Sequence, residues 1–167
     1  MTEHRLPVSI RIAQPEDGPT ILAMLTALAS FEGAVHAPRL DAAALADDVF
    51  GSTPKLNILI AELASGNDLR QIAGFVSYFR NYSSWEGKTG IHIGDLWVSP
   101  ANRSQGIGSA LLRHVLSENE RKRIDVFVVR DNEARILYER LGFKEQTEWC
   151  LYRIEADVQP SLNHRIV

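Results

Sequence analysis

Val98-Ser99-Pro100-Ala101-Asn102-Arg103-Ser104-Gln105-Gly106-Ile107-Gly108 reads as a strand that ends in a turn and gives way to a helix. Beyond Gly106, the residues Ile107, Ala110, Leu111, His114 and Val115 fall at i, i+3, i+4, i+7 and i+8, one apolar stripe of an amphipathic helix. A helix start leaves its first backbone N–H groups unpaired and carries about half a positive charge, so a glycine-bearing turn at that point can cradle an anion. Gly106 and Gly108 let the backbone approach closely, and Arg103 can add a charge-assisted hydrogen bond to phosphate. Taken alone, Arg-x-x-Gly-x-Gly also fits a turn whose glycines only relieve backbone strain. Two other phosphate loops are excluded. Ser109-Ala110 stands where a Walker loop needs Lys-Ser or Lys-Thr, and a dinucleotide fingerprint lacks its third glycine and its opening βαβ unit.

Outward from this stretch, Val8 to Ala13 alternates as a first strand, and Gln14-Pro15-Glu16-Asp17 turns into a helix reaching about Ser30. Asp41 to Val49 is a second helix. Asn57 to Leu63 and Gln71 to Arg80 are strands around a Ser65-Gly66-Asn67-Asp68 turn, and Gly90 to Val98 is the fourth strand. After the helix that follows the loop, Ile124 to Val129 is a strand. Ala134, Leu137, Tyr138 and Leu141 repeat the helical spacing, and Gly142 sits where a left-handed cap belongs. Two further strands are expected around Phe143-Lys144 and Trp149 to Ile154. The order is βααβββαβαββ, which makes one α/β domain over residues 1–167.

The chain has 167 residues, 45% hydrophobic and 23% charged, the balance of an ordinary globular protein. No stretch is long and apolar enough to span a bilayer, and the region through Arg11 lacks a signal-like apolar core, so a cytoplasmic location is expected. A formal charge of -3 argues against nucleic acid as the main partner and suits cationic substrates. Cys150 is the sole cysteine, which excludes an internal disulfide and a cysteine-based zinc site; no metal is expected. Its neighbours Trp149, Leu151 and Tyr152 suggest a buried, inert thiol.

These motifs together resemble the GNAT superfamily of acyl-CoA-dependent N-acetyltransferases from Ile10-Arg11-Ile12-Ala13 to the last strand. Gly87-Lys88, Asp95-Leu96-Trp97-Val98 and Arg103 to Gly108 are similar to its diamine (spermidine/spermine) branch. The resemblance implies a twisted, mixed, mostly antiparallel sheet of six or seven strands with about four helices, and a homodimer. It also implies transfer of acetyl from acetyl-CoA to a primary amine. Arg103, Ser104, Gln105, Gly106, Ile107, Gly108 and Ser109 would hold the pyrophosphate, with backbone amides from Gln105 to Ser109 as donors. Leu96, Trp97 and Val98 would carry the pantetheine arm, chiefly through Leu96 and Val98, while Asp131 and Asn132 would add contacts at the next helix start. Tyr138 would protonate the departing thiolate.

The sequence departs from the branch at two points. Gly94 occupies the position of its usual glutamate base, and Asn132 lies one residue nearer Tyr138 than the family spacing, with Asp131 at the asparagine position. An alkyl ammonium must lose a proton before attacking a thioester, so another group or water must accept it. Asp95 can act through water, anchor the ammonium, or merely cap or solvate. His92 titrates near neutrality, and regular alternation puts it on the face of Gly94, a parity that a bulge would reverse. Tyr138 also lies on an apolar stripe and fits a core tyrosine as well as an acid. Glu32 aligns with an acidic cluster near the amine site, diluted here by Gly33, Ala34, Val35 and His36, while Tyr78, Tyr82 and Trp85 can line an acceptor pocket or close the core. The expected acceptor is a primary amine of a small molecule, with diamines and polyamines among the candidates; the alternatives are an amino acid, an antibiotic amine, a protein N-terminus, or no acceptor in a non-catalytic acyl-CoA binder.

Overall fold

A computed structural model describes residues 8–65 and 69–154, so the expected turn at 65–68 lies largely outside the described residues. Five strands, β1 (Val8–Ile12), β2 (Asn57–Ser65), β3 (Leu69–Ser83), β4 (Lys88–Val98) and β5 (Ile124–Val126), form one sheet in the order β1-β2-β3-β4-β5. The first four are antiparallel and β5 runs parallel to β4, as the helical crossover between them requires. The helices are α1 (Gly18–Phe31), α2 (Ala42–Asp48), α3 (Ile107–Glu118) and α4 (Ala134–Arg140).

Each face of the sheet carries its own core. On one, Ile107, Leu111, Leu112 and Val115 of α3 and Tyr138 of α4 pack on Leu59, Ala61, Val76, Ile91 and Ile93. On the other, Ile21, Met24 and Leu28 of α1, spaced three and four apart, pack with Leu45 of α2 on Ile58, Ile60, Phe75 and Trp97. The buried stripe of α3 includes Leu112, while Ala110 and His114, expected in it, are only half-buried.

The strand count corrects the sequence reading at the C-terminal end. β5 stops at Val126 instead of Val129, and residues 143–154 form no strand. Phe143 is tied back by its N–H to the Tyr138 carbonyl (3.1 Å), and the Glu145 carboxylate is held by Arg135 at 2.8 Å. Beyond that point a strand would need a neighbour to pair with, and a three-residue edge strand offers too short a ladder. Trp149 (76% exposed), Leu151, Tyr152 (91%) and Ile154 consequently face solvent. Cys150 is exposed as well, contrary to the expectation of a buried thiol.

A polar network fixes the opposite edge. Arg11 on β1 donates to Asp17 (2.7 Å) in the turn before α1 and to Glu62 (2.8 Å) on β2, and Arg70 adds a contact to Glu62 at 3.3 Å. Hydrogen bonds from Arg11 hold both carboxyls below the usual carboxylate range, offsetting their burial. Depressed carboxyl pKa values contribute stability that is present above the ordinary range and lost as pH falls through the lowered values. Arg11→Met takes the main partner from two almost buried carboxylates, leaving Glu62 only Arg70 at 3.3 Å and Asp17 only the Gln14 N–H at 2.6 Å. It should cost about 2 kcal/mol at neutral pH by urea denaturation, less than a fully buried pair because Arg11 keeps 35% side-chain exposure. The difference from wild type should shrink below about pH 4, where carboxyls protonate.

Candidate active site

The site begins where β4 leaves β5. Ile91, His92 and Ile93 pair with Ile124, Asp125 and Val126, after which β4 runs on to Val98 with no partner on that side among the described residues. At the point of divergence the β3/β4 register slips. Tyr78 faces Ile93 and Val76 faces Leu96, so Gly94 and Asp95 together oppose Ser77, a β-bulge. The bulge reverses the side-chain parity of β4: His92 would alternate away from Asp95 in a regular strand, and here both project opposite to the inward Ile91, Ile93 and Leu96. Ser99 N–H bonds back to the Ala73 carbonyl (2.8 Å), so by alternation the peptide groups of Leu96 and Val98 turn toward the open side. Trp97 turns its ring the other way, into the α1 core.

The loop after β4 holds free donors. Among the described residues, the N–H groups from Ser104 to Ser109 bond to no other backbone group, and α3's first bonded amide is Ala110, to Gly106 (2.9 Å). Gly106 sits at φ 84° and Ser104 at φ 62°, the left-handed region in which successive N–H groups converge on a concavity. Gly108 serves packing: a Cβ there would lie 3.2 Å from Leu137 Cδ2, so its absence lets α3 seat against α4.

Arg103 has a different placement from the expected phosphate ligand. Its Nε donates to the Val98 carbonyl (3.0 Å), and its guanidinium lies 4.4 Å from the Phe31 ring centroid and 4.6 Å from that of Trp97. Stacking and cation–π attraction thus pin the loop to the end of α1. Nothing in the spacing of Arg103 announced this, because the Phe31 ring is distant in sequence and the nearby Trp97 ring is turned to it only by the fold.

That end of α1 carries Glu32. Loss of surrounding water, and next the charge of Asp95, push the Glu32 carboxyl above its usual range, although one side of the residue remains in solvent. Tyr138 enters from the α4 side, buried and edge-on to Phe143 at 5.5 Å. Burial first, then the charges of Glu32 and Asp95, push its hydroxyl up to about 12. Tyr138 is thus a core residue whose hydroxyl feels the charge of both carboxylates. The charges of Glu32 and Asp95 thus both reach the Tyr138 hydroxyl, and Asp95 lies on β4 just beyond the last residue paired with β5.

The other expected residues lie apart from this group. His92 is packed between Phe79 (5.0 Å) and Phe127 (4.7 Å), and burial lowers its pKa, leaving a neutral ring of reduced basicity. Tyr78 points at Glu118 of α3 (3.5 Å), and burial followed by that charge raises its hydroxyl. It lines a cavity of about 410 Å³ with Arg80, Glu118 and Lys122 instead of meeting Asp95. Asn132 accepts from Ala134 N–H (2.8 Å), which caps the start of α4, while Asp131 is exposed. Tyr82 and Trp85 are exposed. Sequence reasoning missed Ser77. Its hydroxyl donates to Asp95 Oδ2 at 2.5 Å and accepts from Asp95 N–H at 2.9 Å, and its only prior signal was a serine inside the otherwise apolar stretch from Ile72 to Phe79.

Comparison with known proteins agrees with this geometry. Residues 54–145 match the acetyltransferase (GNAT) domain family. Over 165 residues the chain is 32% identical to thialysine N-epsilon-acetyltransferase of Bos taurus, covering 93% of this chain and 96% of that protein. Human spermidine/spermine N(1)-acetyltransferase-like protein 1 is 31% identical over 160 residues, which are 89% of this chain and 22% of that longer protein. A solved structure of a probable acetyltransferase superposes with a TM-score of 0.71 at 25% identity, covering 88% of this chain and 97% of that one. A parted sheet with free donors beside it, a family match across most of those strands and full-length kinship to an acetyltransferase all lead to one conclusion: the chain belongs to the GNAT family and is an N-acetyltransferase.

Proposed function

We propose that the enzyme, acting as one domain over its whole length, transfers acetyl from acetyl-CoA to a terminal primary amine of a small cationic molecule such as a diamine, polyamine or lysine analogue. The observation that carries the acceptor class is the pair of carboxylates, Glu32 and Asp95, near enough that the charge of Asp95 adds to burial in raising Glu32. Such a pair favours a cation between its members. Kinship to enzymes named for thialysine and for spermidine/spermine points to the same amine chemistry. A non-catalytic binder would have no use for a phenol buried beside two carboxylates.

The residues present fit the donor. Free amides from Gln105 to Ser109 suit a pyrophosphate, and the outward peptide groups of Leu96 and Val98 suit the amides of an extended arm. Arg103 contributes through placement, holding the loop against Phe31 and Trp97, and Asn132 by capping α4. When bound, acetyl-CoA supplies the acetyl group as an activated thioester.

Asp95 and Glu32 hold the substrate ammonium. A carboxylate is a far weaker base than an alkyl amine, so Asp95 passes the proton to water at the exposed backbone of Gly94 instead of keeping it. The freed amine forms the C–N bond, the C–S bond breaks, the Tyr138 hydroxyl gives its proton to the departing sulfur, and the second proton shed by the acylated nitrogen returns through water to the phenolate. Burial first, and then the two carboxylate charges, keeps the phenol protonated; an ammonium held beside those carboxylates cancels part of their effect and makes Tyr138 a better acid when substrate is in place. His92, neutral and wrapped by Phe79 and Phe127, is at most an outer wall.

The exposed Trp149, Leu151, Tyr152 and Ile154 suit burial against a second copy, and a cytoplasmic homodimer completes the reading. Light scattering should give twice the 18.7 kDa chain mass, and a monomer at micromolar concentration would refute this part.

Thiol release from acetyl-CoA should require an added amine and should be fastest with thialysine, spermidine or spermine among amino acids and aminoglycosides. Coenzyme A binding without amine-dependent release would overturn the catalytic reading. Tyr138→Phe should lower kcat by about 10²-fold while acetyl-CoA affinity changes less than about threefold, and an unchanged kcat would remove the acid. Gly106→Val forces a β-branched residue to φ 84° and should weaken coenzyme A binding at least about tenfold by calorimetry.

A further inference from the structure

Ser77 is almost wholly buried, at 1% exposure, in a strand whose neighbours Phe75 and Val76 are core residues. It stands alone opposite the two bulged residues, Gly94 and Asp95. Its hydroxyl makes both possible bonds with Asp95, accepting from the backbone N–H at 2.9 Å and donating to Oδ2 at 2.5 Å. Asp95 is therefore gripped at its peptide and at its carboxylate by one atom, and Oδ1 is left for another partner. The same oxygen constrains position 94. A Cβ built on Gly94 would lie 2.8 Å from Ser77 Oγ, a distance that real Cβ atoms essentially never show.

We propose that Ser77 is a positioning residue of the acetyl transfer: held in the bulge, its hydroxyl fixes the Asp95 carboxylate toward the substrate amine and fills the space that a side chain at position 94 would need, so that the amine is handled from position 95. This rests on the reaction proposed above. Glycine at 94 and serine at 77 are thus one arrangement, since the hydroxyl takes the room that the missing side chain vacates. Bulges re-aim side chains beside active sites, and a carboxylate held by a hydroxyl that is itself buried loses little rotamer entropy on binding its ligand. Ser77 touches neither substrate nor cofactor. Its effect passes through Asp95.

The test compares wild type, Ser77→Ala, Ser77→Thr and the double variant Ser77→Ala/Gly94→Glu, with acetyl-CoA and whichever of thialysine and spermidine the wild type acetylates. Ser77→Ala should lower kcat about tenfold while the KM for acetyl-CoA stays within about twofold, since a misaimed group costs rate without loosening the donor. Ser77→Thr, which keeps the hydroxyl, should recover most of kcat. The double variant should turn over faster than Ser77→Ala, because the vacated space admits a carboxylate at 94. An unchanged kcat in folded Ser77→Ala, or a loss that neither the hydroxyl nor the displaced carboxylate restores, overturns the proposal; should Ser77→Thr fail to fold, the double variant decides. A wild type that turns over no amine fails the functional reading instead, and that result is visible before any variant is made.

Discussion

The parting of β4 from β5 after Ile93 is the constraint on which the active site depends. Parallel pairing lasts three residue pairs, and from Gly94 onward β4 has a free edge on that side among the described residues. The bulge lies at the same point. By setting two residues of β4 against one of β3, it turns Asp95 to the face where α1 ends and leaves the Leu96 and Val98 peptides at the gap. A regular strand would place Asp95 with the inward isoleucines, where an unpaired carboxylate is costly.

Two layers of helix converge on that gap from opposite faces. From one side the end of α1 brings Glu32, and Arg103 locks it there by lying against Phe31 and Trp97 while bonding the last β4 carbonyl. From the other, α4 brings Tyr138 out of the core beside Phe143. The run of unpaired amides before α3 begins immediately after Arg103, so the arginine links that loop to the end of α1 that carries Glu32. Electrostatics then join the three groups: each carboxylate raises the phenol, and Asp95 raises Glu32.

The parts legible in the sequence were those with short-range causes. Glycine spacing, the Pro100 break and the 3.6-residue stripe after Ile107 are local facts, and they placed the loop, α3 and the first four strands within a few residues. Tyr138 and Asp95 were singled out through their motif context, and the structure brings the charge of Asp95 to bear on the Tyr138 hydroxyl. Contacts between distant segments were not. Arg103 has the spacing of a phosphate ligand and is drawn instead to two rings, one of them on a different helix, and Tyr78 faces Glu118 because β3 parity on that side of the bulge turns it toward α3. His92 shows the same limit in reverse, since its face depends on a register slip that no alternation pattern reveals. At the C-terminal end, apolar residues such as Trp149 and Leu151 look like strand residues, yet a strand needs a ladder, and β5 ends before it can provide one.

Backbone hydrogen exchange with and without coenzyme A tests the central claim most directly, because it reads the main-chain donors themselves. The account predicts that the amides of Leu96 and Val98, together with those from Gln105 to Ser109, exchange more slowly when coenzyme A is bound, while amides paired between β1 and β2 are unchanged. Coenzyme A binding that leaves the Gln105 to Ser109 amides and the free edge of β4 exchanging at their original rates would contradict it.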